Sequence, residues 1–214
     1  MEYPKINSIW KRDEANALIP GDYARPEFSA CKQWRVEEKI DGTNIRVYIQ
    51  DGGIEIKGRT NKAEIPAPLL AFFARDEFMN KLPYFGTTPV QLFGEGFGAS
   101  IQSGGIYRPD VAFILFDVYM SNRWSTREEV QETALALGLD CPADLGIMTE
   151  EEIIAFVKSK PKGRYNDKGY PMEGVMVRSQ PLMRFNTQGA APVMWKLKVK
   201  DFYGKEPKAV SHRT

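Results

Sequence analysis

The stretch EEKIDGTNIRV (37–47) puts Lys39 just before an Asp-Gly turn, between two runs of alternating residues. An ordinary lysine amine, with a pKa near ~10.4, is protonated at neutral pH and is no nucleophile. Burial or neighbouring cations lower that value and free the lone pair, which turns lysine into a covalent catalyst. Arg59, Lys196 and Lys198 are the cations that would do this if the chain folds them together. By itself, a lysine in this setting is equally a solvated hairpin residue.

Other residues suit phosphate chemistry. In VMWKLKVK (193–200), Val193, Trp195, Leu197 and Val199 share one strand face, while Met194, Lys196, Lys198 and Lys200 share the other. Such a lysine face either protects an exposed edge strand or meets a polyanion, where lysine acts as a compact point charge. KGRTNK (57–62) adds Lys57, Arg59 and Lys62 on a turn, with Gly58 and Asn61 letting backbone approach an anion. Glu95 follows flexible residues in QLFGE, and Glu173 opens the apolar run EGVMV. Each alone is a rim residue. Together they would hold a hard divalent cation or sugar hydroxyls. Phe116-Asp117 interrupts an apolar run, and its ring serves either as core or as a stacking platform for a base.

The elements that must position these side chains follow from periodicity and punctuation. Segments 34–40 and 44–49 are predicted strands, with Ile45, Val47 and Ile49 on one face of the second. The turn Asp51-Gly52-Gly53 leads into another strand at 54–57. Residues 68–81 are predicted helical, and 90–94 and 111–120 extended, the latter buried on both faces because it is almost continuously apolar. Helices are predicted from Thr126 to Gly138 and from Thr149 to before Pro161, each with a Thr-x-x-Glu capping signature. The last strands are 173–178 and 193–200. The pattern is too irregular for a doubly wound sheet and predicts one mixed α+β domain over 1–214, with mostly antiparallel strands.

The 214 residues, 43% hydrophobic and 27% charged, suffice for a core without staples. Cys31 and Cys141 match no metal spacing and read as free thiols. No apolar run approaches membrane-spanning length and the N-terminus lacks a signal-peptide core, which predicts a cytoplasmic protein. Net charge is +1, but from Arg178 to Thr214 there are eight Lys/Arg against Asp201 and Glu206. That segment is either a solvated tail or a local phosphate-binding surface. His212 has no assigned role. A Walker loop and a dinucleotide fingerprint are both missing, which removes support for a metabolic kinase or dehydrogenase.

Taken in order, these pieces resemble the covalent nucleotidyltransferases, the superfamily of ATP-dependent DNA ligases, RNA ligases and mRNA capping enzymes. Lys39-Ile-Asp-Gly-Thr-Asn44 is similar to motif I and Lys57-Gly-Arg59-Thr to the basic element after it. Phe93-Gly-Glu95 resembles motif III, Phe116-Asp117 motif IIIa, Glu173 to Arg178 motif IV, and Trp195-Lys196-Leu-Lys198 motif V. The resemblance runs from about residue 35 to 200. Asn44 is similar to the RNA ligases of the phage and trypanosome-editing type, where DNA ligases carry arginine. Those RNA ligases often have histidine at the position of Asp41, and aspartate there is more typical of DNA ligases and capping enzymes. Only sixteen residues follow Lys198, so the resemblance implies a stand-alone ligase adenylation domain, its mostly antiparallel sheets flanked by helices, with no C-terminal OB domain.

The resemblance implies an ATP-dependent RNA ligase using Mg²⁺ or Mn²⁺. Lys39 would be the nucleophile, with Glu38 and Ile40 beside it in the nucleotide site. Lys196 and Lys198 would neutralise the α-phosphate, and Arg59 would bind phosphate, including that of an RNA 5′ end. Glu95 would hold ribose hydroxyls, Phe116 would stack on adenine, and Glu173 would bind the metal directly or through water. Arg178 would be a further phosphate ligand if its strand bends, and Asn44 would orient the metal-bound water or the reacting phosphate. Lys57, Lys62 and Lys200 would join Arg59 on the nucleic acid. RNA strand ends, or DNA ends, would be the substrate, and a homodimer or partner protein would replace the missing domain. The alternatives within the superfamily are a minimal DNA ligase and a GTP-using capping enzyme. The non-enzymatic alternative is a nucleic-acid end-binding module.

Overall fold

The computed structural model describes residues 1–99, 101–102, 107–165, 169–186 and 190–203. The chain opens with β1 (Trp10–Arg12), β2 (Leu18–Tyr23), α1 (Glu27–Ala30) and β3 (Gln33–Lys39). Then come β4 (Thr43–Gln50), β5 (Gly53–Gly58), α2 (Ala67–Phe73), α3 (Asp76–Met79) and a 3-10 turn at Leu82–Phe85. Next are β6 (Val90–Gly98), β7 (Val111–Met120), β8 (Arg123–Trp124), α4 (Arg127–Leu137) and β9 (Asp144–Met148). The described part ends with α5 (Glu150–Lys158), β10 (Gly174–Gln180), β11 (Met194–Lys198) and α6 (Lys200–Tyr203).

These strands form two larger antiparallel sheets, ordered β5-β4-β6-β7-β8 and β11-β10-β3-β9, beside a β1-β2 pair. Each sheet buries one face under helices. Ile45, Val47 and Ile49 pack with Leu92, Leu115 and Val118 against Leu69 and Phe73 of α2 and Val130 and Leu137 of α4. On the other sheet, Trp34, Val36, Val175, Val177, Trp195 and Leu197 pack with Ile153 and Val157 of α5. The two remaining faces look at each other across a largely polar cleft. This is the predicted α+β arrangement of mostly antiparallel sheets flanked by helices.

Several elements depart from expectation. The helix expected at 68–81 breaks because Arg75 is extended, with φ −70° and ψ 143°. The break resets the helical phase, so that Phe73 and Phe78 meet at 5.2 Å in the core. Both threonine capping boxes form, at Thr126 with Glu129 and Thr149 with Glu152. The strand expected at 193–200 stops at Lys198, and Lys200 begins α6 instead. Lys200 is therefore exposed and off the lysine face. Strands β1, β2, β8 and β9 were not expected, since none shows a clear alternation of buried and exposed residues over several positions. Lys205, Lys208, His212 and Arg213 lie outside the described residues.

The long apolar run of β7 contains a bulge. Phe93 pairs with Asp117, but the next residue, Gly94, pairs with Leu115. The extra residue flips side-chain parity, so Val118 and Leu115 both enter the helix-side core while Phe116 and Asp117 both serve the cleft side.

A polar tie joins the sheets there. Arg178 on β10 donates to both carboxylate oxygens of Asp117 on β7, at 2.9 and 3.0 Å. The N-terminal segment lies across the same cleft. The Tyr3 hydroxyl donates to Asp117, and its ring packs with Phe93, Trp124 and Met194. Further along, the Lys196 N–H donates to the Asn7 carbonyl. Stripping the charge from Asp117 would leave the buried Arg178 only the more distant Glu37 carboxylate at 3.5 Å, a change that removes about 3 kcal/mol. Asp117→Asn is accordingly expected to lower the unfolding free energy by that amount in urea titration. A loss below ~1 kcal/mol would mean that the pair does not hold the sheets together.

Candidate active site

Lys39 ends β3, and Thr43 starts β4 in the other sheet. The Ile40-Asp41-Gly42 turn is thus a crossover between sheets, not a hairpin tip. The crossover runs so close to β6 that a Cβ on Gly42 would sit 2.2 Å from the Gly96 carbonyl oxygen. Only glycine fits there. The Asp41 N–H donates to the Tyr107 hydroxyl at 3.1 Å, and Ile40 is buried with Phe97 and Tyr107. Lys39 is thereby aimed into the cleft from a fixed backbone.

Register then brings the charged groups together. Gly174 pairs with Lys39 on one side and Lys198 on the other, so both lysines emerge on the cleft face in a single row. Lys196 follows in the next row, opposite Met176. Glu173, just before β10, lies between the two lysines. Its Oε2 accepts from Lys39 Nζ at 2.6 Å, and its Oε1 is 2.5 Å from Lys198 Nζ. Asn44 and Glu95 face each other directly across β4 and β6 at the opposite wall. Lys39, Lys196, Lys198, Asn44, Glu95 and Glu173 therefore form one cluster.

The electrostatics differ from the sequence expectation in one respect. Burial pulls the Lys39 ammonium toward neutrality, but the carboxylates of Glu173, Glu95 and Asp41 outweigh it and raise its pKa. The nearby cations do not make Lys39 a free amine in this arrangement. The lowered lysine is Lys196, brought down to about 8 by burial and then by Lys198 and Lys39. Arg59 also lowers Lys196, although Arg59 itself is exposed on the turn after β5. Lys62 is exposed, and Lys57 pairs with Glu55 at 2.8 Å. Burial and then Glu173 raise the pKa of Asp41 at the cleft mouth, with Lys39, Lys198 and the exposed Lys200 opposing them.

Three expected residues are placed differently. Arg178 shares the cleft face but its guanidinium is committed to Asp117, with Glu37 at 3.5 Å, so it is not available as a phosphate ligand. Glu38 points to the opposite face of β3 from Lys39, where its carboxylate accepts from the Arg164 N–H. Only its backbone lies beside the nucleophile. Phe116 is half-buried on the cleft side, with the Tyr3 ring centroid 5.0 Å away. Met176 packs against the same cluster. Tyr3, Tyr107 and Arg46 were not anticipated. Each acts through a contact far away in sequence or with no local pattern to mark it.

The cleft suits a hard divalent cation. The Asn44 Oδ1 is buried with no hydrogen-bond partner among the described residues. Glu173 offers carboxylate oxygens nearby, and oxygen donors are what Mg²⁺ and Mn²⁺ take. Two lysines currently balance Glu173, so a cation there would compete with them.

A crossover lysine, a carboxylate on each wall and a lysine-bearing strand, set between two antiparallel sheets, define a nucleotidyltransferase-type domain. The family model described as RNA ligase matches residues 32–198, and this chain belongs to that family. No curated protein matches it in sequence. Among solved structures it is similar to the RNA ligase of Naegleria gruberi. The form with pyrophosphate superposes with a TM-score of 0.63 at 19% identity, covering 92% of this chain and 61% of that one. A mutant with ATP and Mn gives 0.63 at 21%, and a mutant with AMP and Mn 0.62 at 20%, each covering 92% of this chain and 57% of that one. This chain thus spans about three-fifths of those structures. No helix among the described residues is long and apolar enough to cross a membrane.

Glu95 supplies a pH test. Burial pushes its carboxyl up to about 7, with Glu173 and Asp41 adding to the effect and Lys39 and Lys198 opposing it. An acid raised in the fold binds its proton more tightly there. Its contribution to stability is complete below its ordinary value near 4.5 and is lost as pH rises through about 7. Glu95→Gln is expected to flatten the melting-temperature profile between those values and to melt higher than the parent above them. Parallel profiles for the two proteins would contradict this.

Proposed function

We propose that this chain is an ATP-dependent RNA ligase domain that joins 5′-phosphate and 3′-hydroxyl ends through a lysine–AMP adduct on Lys39. The observation that carries the reading is the row Lys39–Glu173–Lys198, with Lys196 beside it and Asn44 facing it. In the first step the Lys39 amine would attack the ATP α-phosphorus, forming an N–P bond as the bond to pyrophosphate breaks and the lysine loses a proton. In the second, an oxygen of an RNA 5′-phosphate would attack the AMP phosphorus and release Lys39. In the third, the 3′-hydroxyl of another strand would attack the activated 5′-phosphorus, and AMP would leave.

Phosphoryl transfer leaves the protein mainly positioning and charge neutralisation to do. Lys196 and Lys198 would neutralise the α-phosphate from β11. Glu95 would hold the ribose, Phe116 would stack on the base, and Arg59 would bind phosphate, with Lys57, Lys62 and Lys200 along the strand path. Mg²⁺ or Mn²⁺, held through Glu173 and Asn44, would neutralise charge on the triphosphate. Once the Glu173 carboxylate is engaged away from Lys39, the pull of burial toward the neutral amine would be opposed only by Glu95 and Asp41 among the carboxylates named. The RNA preference rests on the family and on Asn44. The second strand end would be held by the basic turn, by a second copy of the chain or by a partner protein.

Intact mass after incubation with ATP and Mg²⁺ tests the central step. The parent is expected to gain one AMP and Lys39→Ala to gain none. A normal adduct yield in Lys39→Ala would overturn the nucleophile assignment. Labelled GTP in place of ATP, and DNA in place of RNA at a nick, separate capping and DNA ligation from the proposed activity.

A further inference from the structure

The turn that carries Arg59 has few means of holding its shape. Residues 59–64 are all exposed, so none of their side chains is anchored in a core. Within the turn, the Ala63 N–H donates to the Thr60 carbonyl at 3.2 Å. The Asn61 N–H reaches Glu2 Oε1 at 3.4 Å, a long contact at an exposed site. Packing adds only Ala63 against Gly58. A cavity of about 340 Å³ lies beside it, between Arg46, Tyr48, Glu55, Lys57, Asn61 and Gln91.

The remaining anchor is Arg46, two residues beyond Asn44 on the cleft face of β4. It is only 4% exposed. Its Nε donates to the Gly58 carbonyl at 2.8 Å and its Nη2 to Asn61 Oδ1 at 2.9 Å, so it grips the turn at both ends of Arg59. Its Nη1 donates to the Met1 carbonyl at 2.8 Å. No carboxylate pairs with it among the described residues. Its direct cross-strand neighbour is another cation, Lys57. Like charges opposite each other weaken a strand pair, so sheet stability does not explain a buried cation here. The planar fork of a guanidinium explains it better, since it can bind separate acceptors in fixed directions at once.

We propose that Arg46 is a positioning residue. It fixes the turn so that Arg59 presents its guanidinium to a phosphate, each of its three nitrogens donating one hydrogen bond to protein. The proposal rests on the reading of Arg59 as a phosphate ligand. An untethered turn would scatter Arg59 over many conformations, and lost orientation appears as lost rate.

A double-mutant cycle tests this, with each chemical step timed separately: adduct formation, AMP transfer to a 5′-phosphorylated RNA, and sealing of a pre-adenylated RNA nick. Arg46→Lys keeps the charge but loses the fork. If Arg59→Ala slows one step ~100-fold, Arg46→Lys should slow that same step ~10-fold, and the double variant should match Arg59→Ala alone. The other steps should stay within ~2-fold of the parent. Asn61→Ala cuts one grip at an exposed residue and should slow the same step ~3-fold, again with no further loss on top of Arg59→Ala. This second cycle carries the test if Arg46→Lys does not fold.

Uniform slowing of all steps, multiplied effects in the double variants, or an unchanged rate in Asn61→Ala would overturn the proposal. If Arg59→Ala itself leaves every step unchanged, the phosphate reading of Arg59 fails and the role of Arg46 falls with it. The adduct on Lys39 is judged separately, by mass.

Discussion

The contact on which the site depends is one carboxylate, Glu173, lodged between the ammonium groups of Lys39 and Lys198. It forms only because three strands share a register in which Gly174 stands between those lysines. Gly174 is itself constrained, since a Cβ there would lie 2.1 Å from the Leu197 carbonyl oxygen. A slip of one residue would turn Lys198 inward and Leu197 outward. What guards against it is the opposite face, where Trp34, Val36, Val175, Val177, Trp195 and Leu197 are all fully buried. The apolar side of the sheet thus sets the geometry of its charged side.

That same contact restrains the chemistry. Burial alone would favour a neutral Lys39, yet the surrounding carboxylates keep it charged. Lys196, one row away and with no carboxylate paired to it among the described residues, is pulled down to about 8. Side chains of one kind on one face are therefore shifted in opposite directions, because Glu173 hydrogen-bonds Lys39 but acts on Lys196 only weakly, where burial, Lys198 and Lys39 outweigh it. A ligand that draws the Glu173 carboxylate away, or adds negative phosphate beside Lys196, changes both. The resting arrangement thus holds Lys39 as an ammonium ion, not as a reactive amine.

Much of this was legible in the sequence, for identifiable reasons. Alternation in 44–49 and 193–199 announced which residues face the core, since strand parity is local information. The threonine caps of α4 and α5 were equally local. The motif lysines and carboxylates could be picked out because their order along the chain was informative. What failed involved parity breaks and long-range pairing. The bulge at Phe116 and Asp117 cannot be seen in an apolar run, and it is what turns both residues toward the cleft. Arg178 looked like a free cation because its partner Asp117 is 61 residues away. Glu38 resembled its neighbour Lys39 in position, but adjacent strand residues point to opposite faces.

The unanticipated residues have a common logic. Tyr3, Tyr107 and Arg46 each use a hydrogen bond to fix a segment that regular pairing leaves loose: the N-terminal strand of chain over the cleft, the crossover turn at Asp41, and the basic turn at Asn61. A site between two sheets requires such ties, because each sheet satisfies its own backbone and neither orders what connects or covers them. Asp117 shows the same economy from the other side. One carboxylate receives Tyr3 from the N-terminal segment and Arg178 from the facing sheet. The spacing of the cleft and the placement of Phe116 on its wall thus rest on the same buried charge. The wall that would receive a base is therefore set by polar contacts between the sheets, while the floor that would receive the phosphates is set by strand register within one of them.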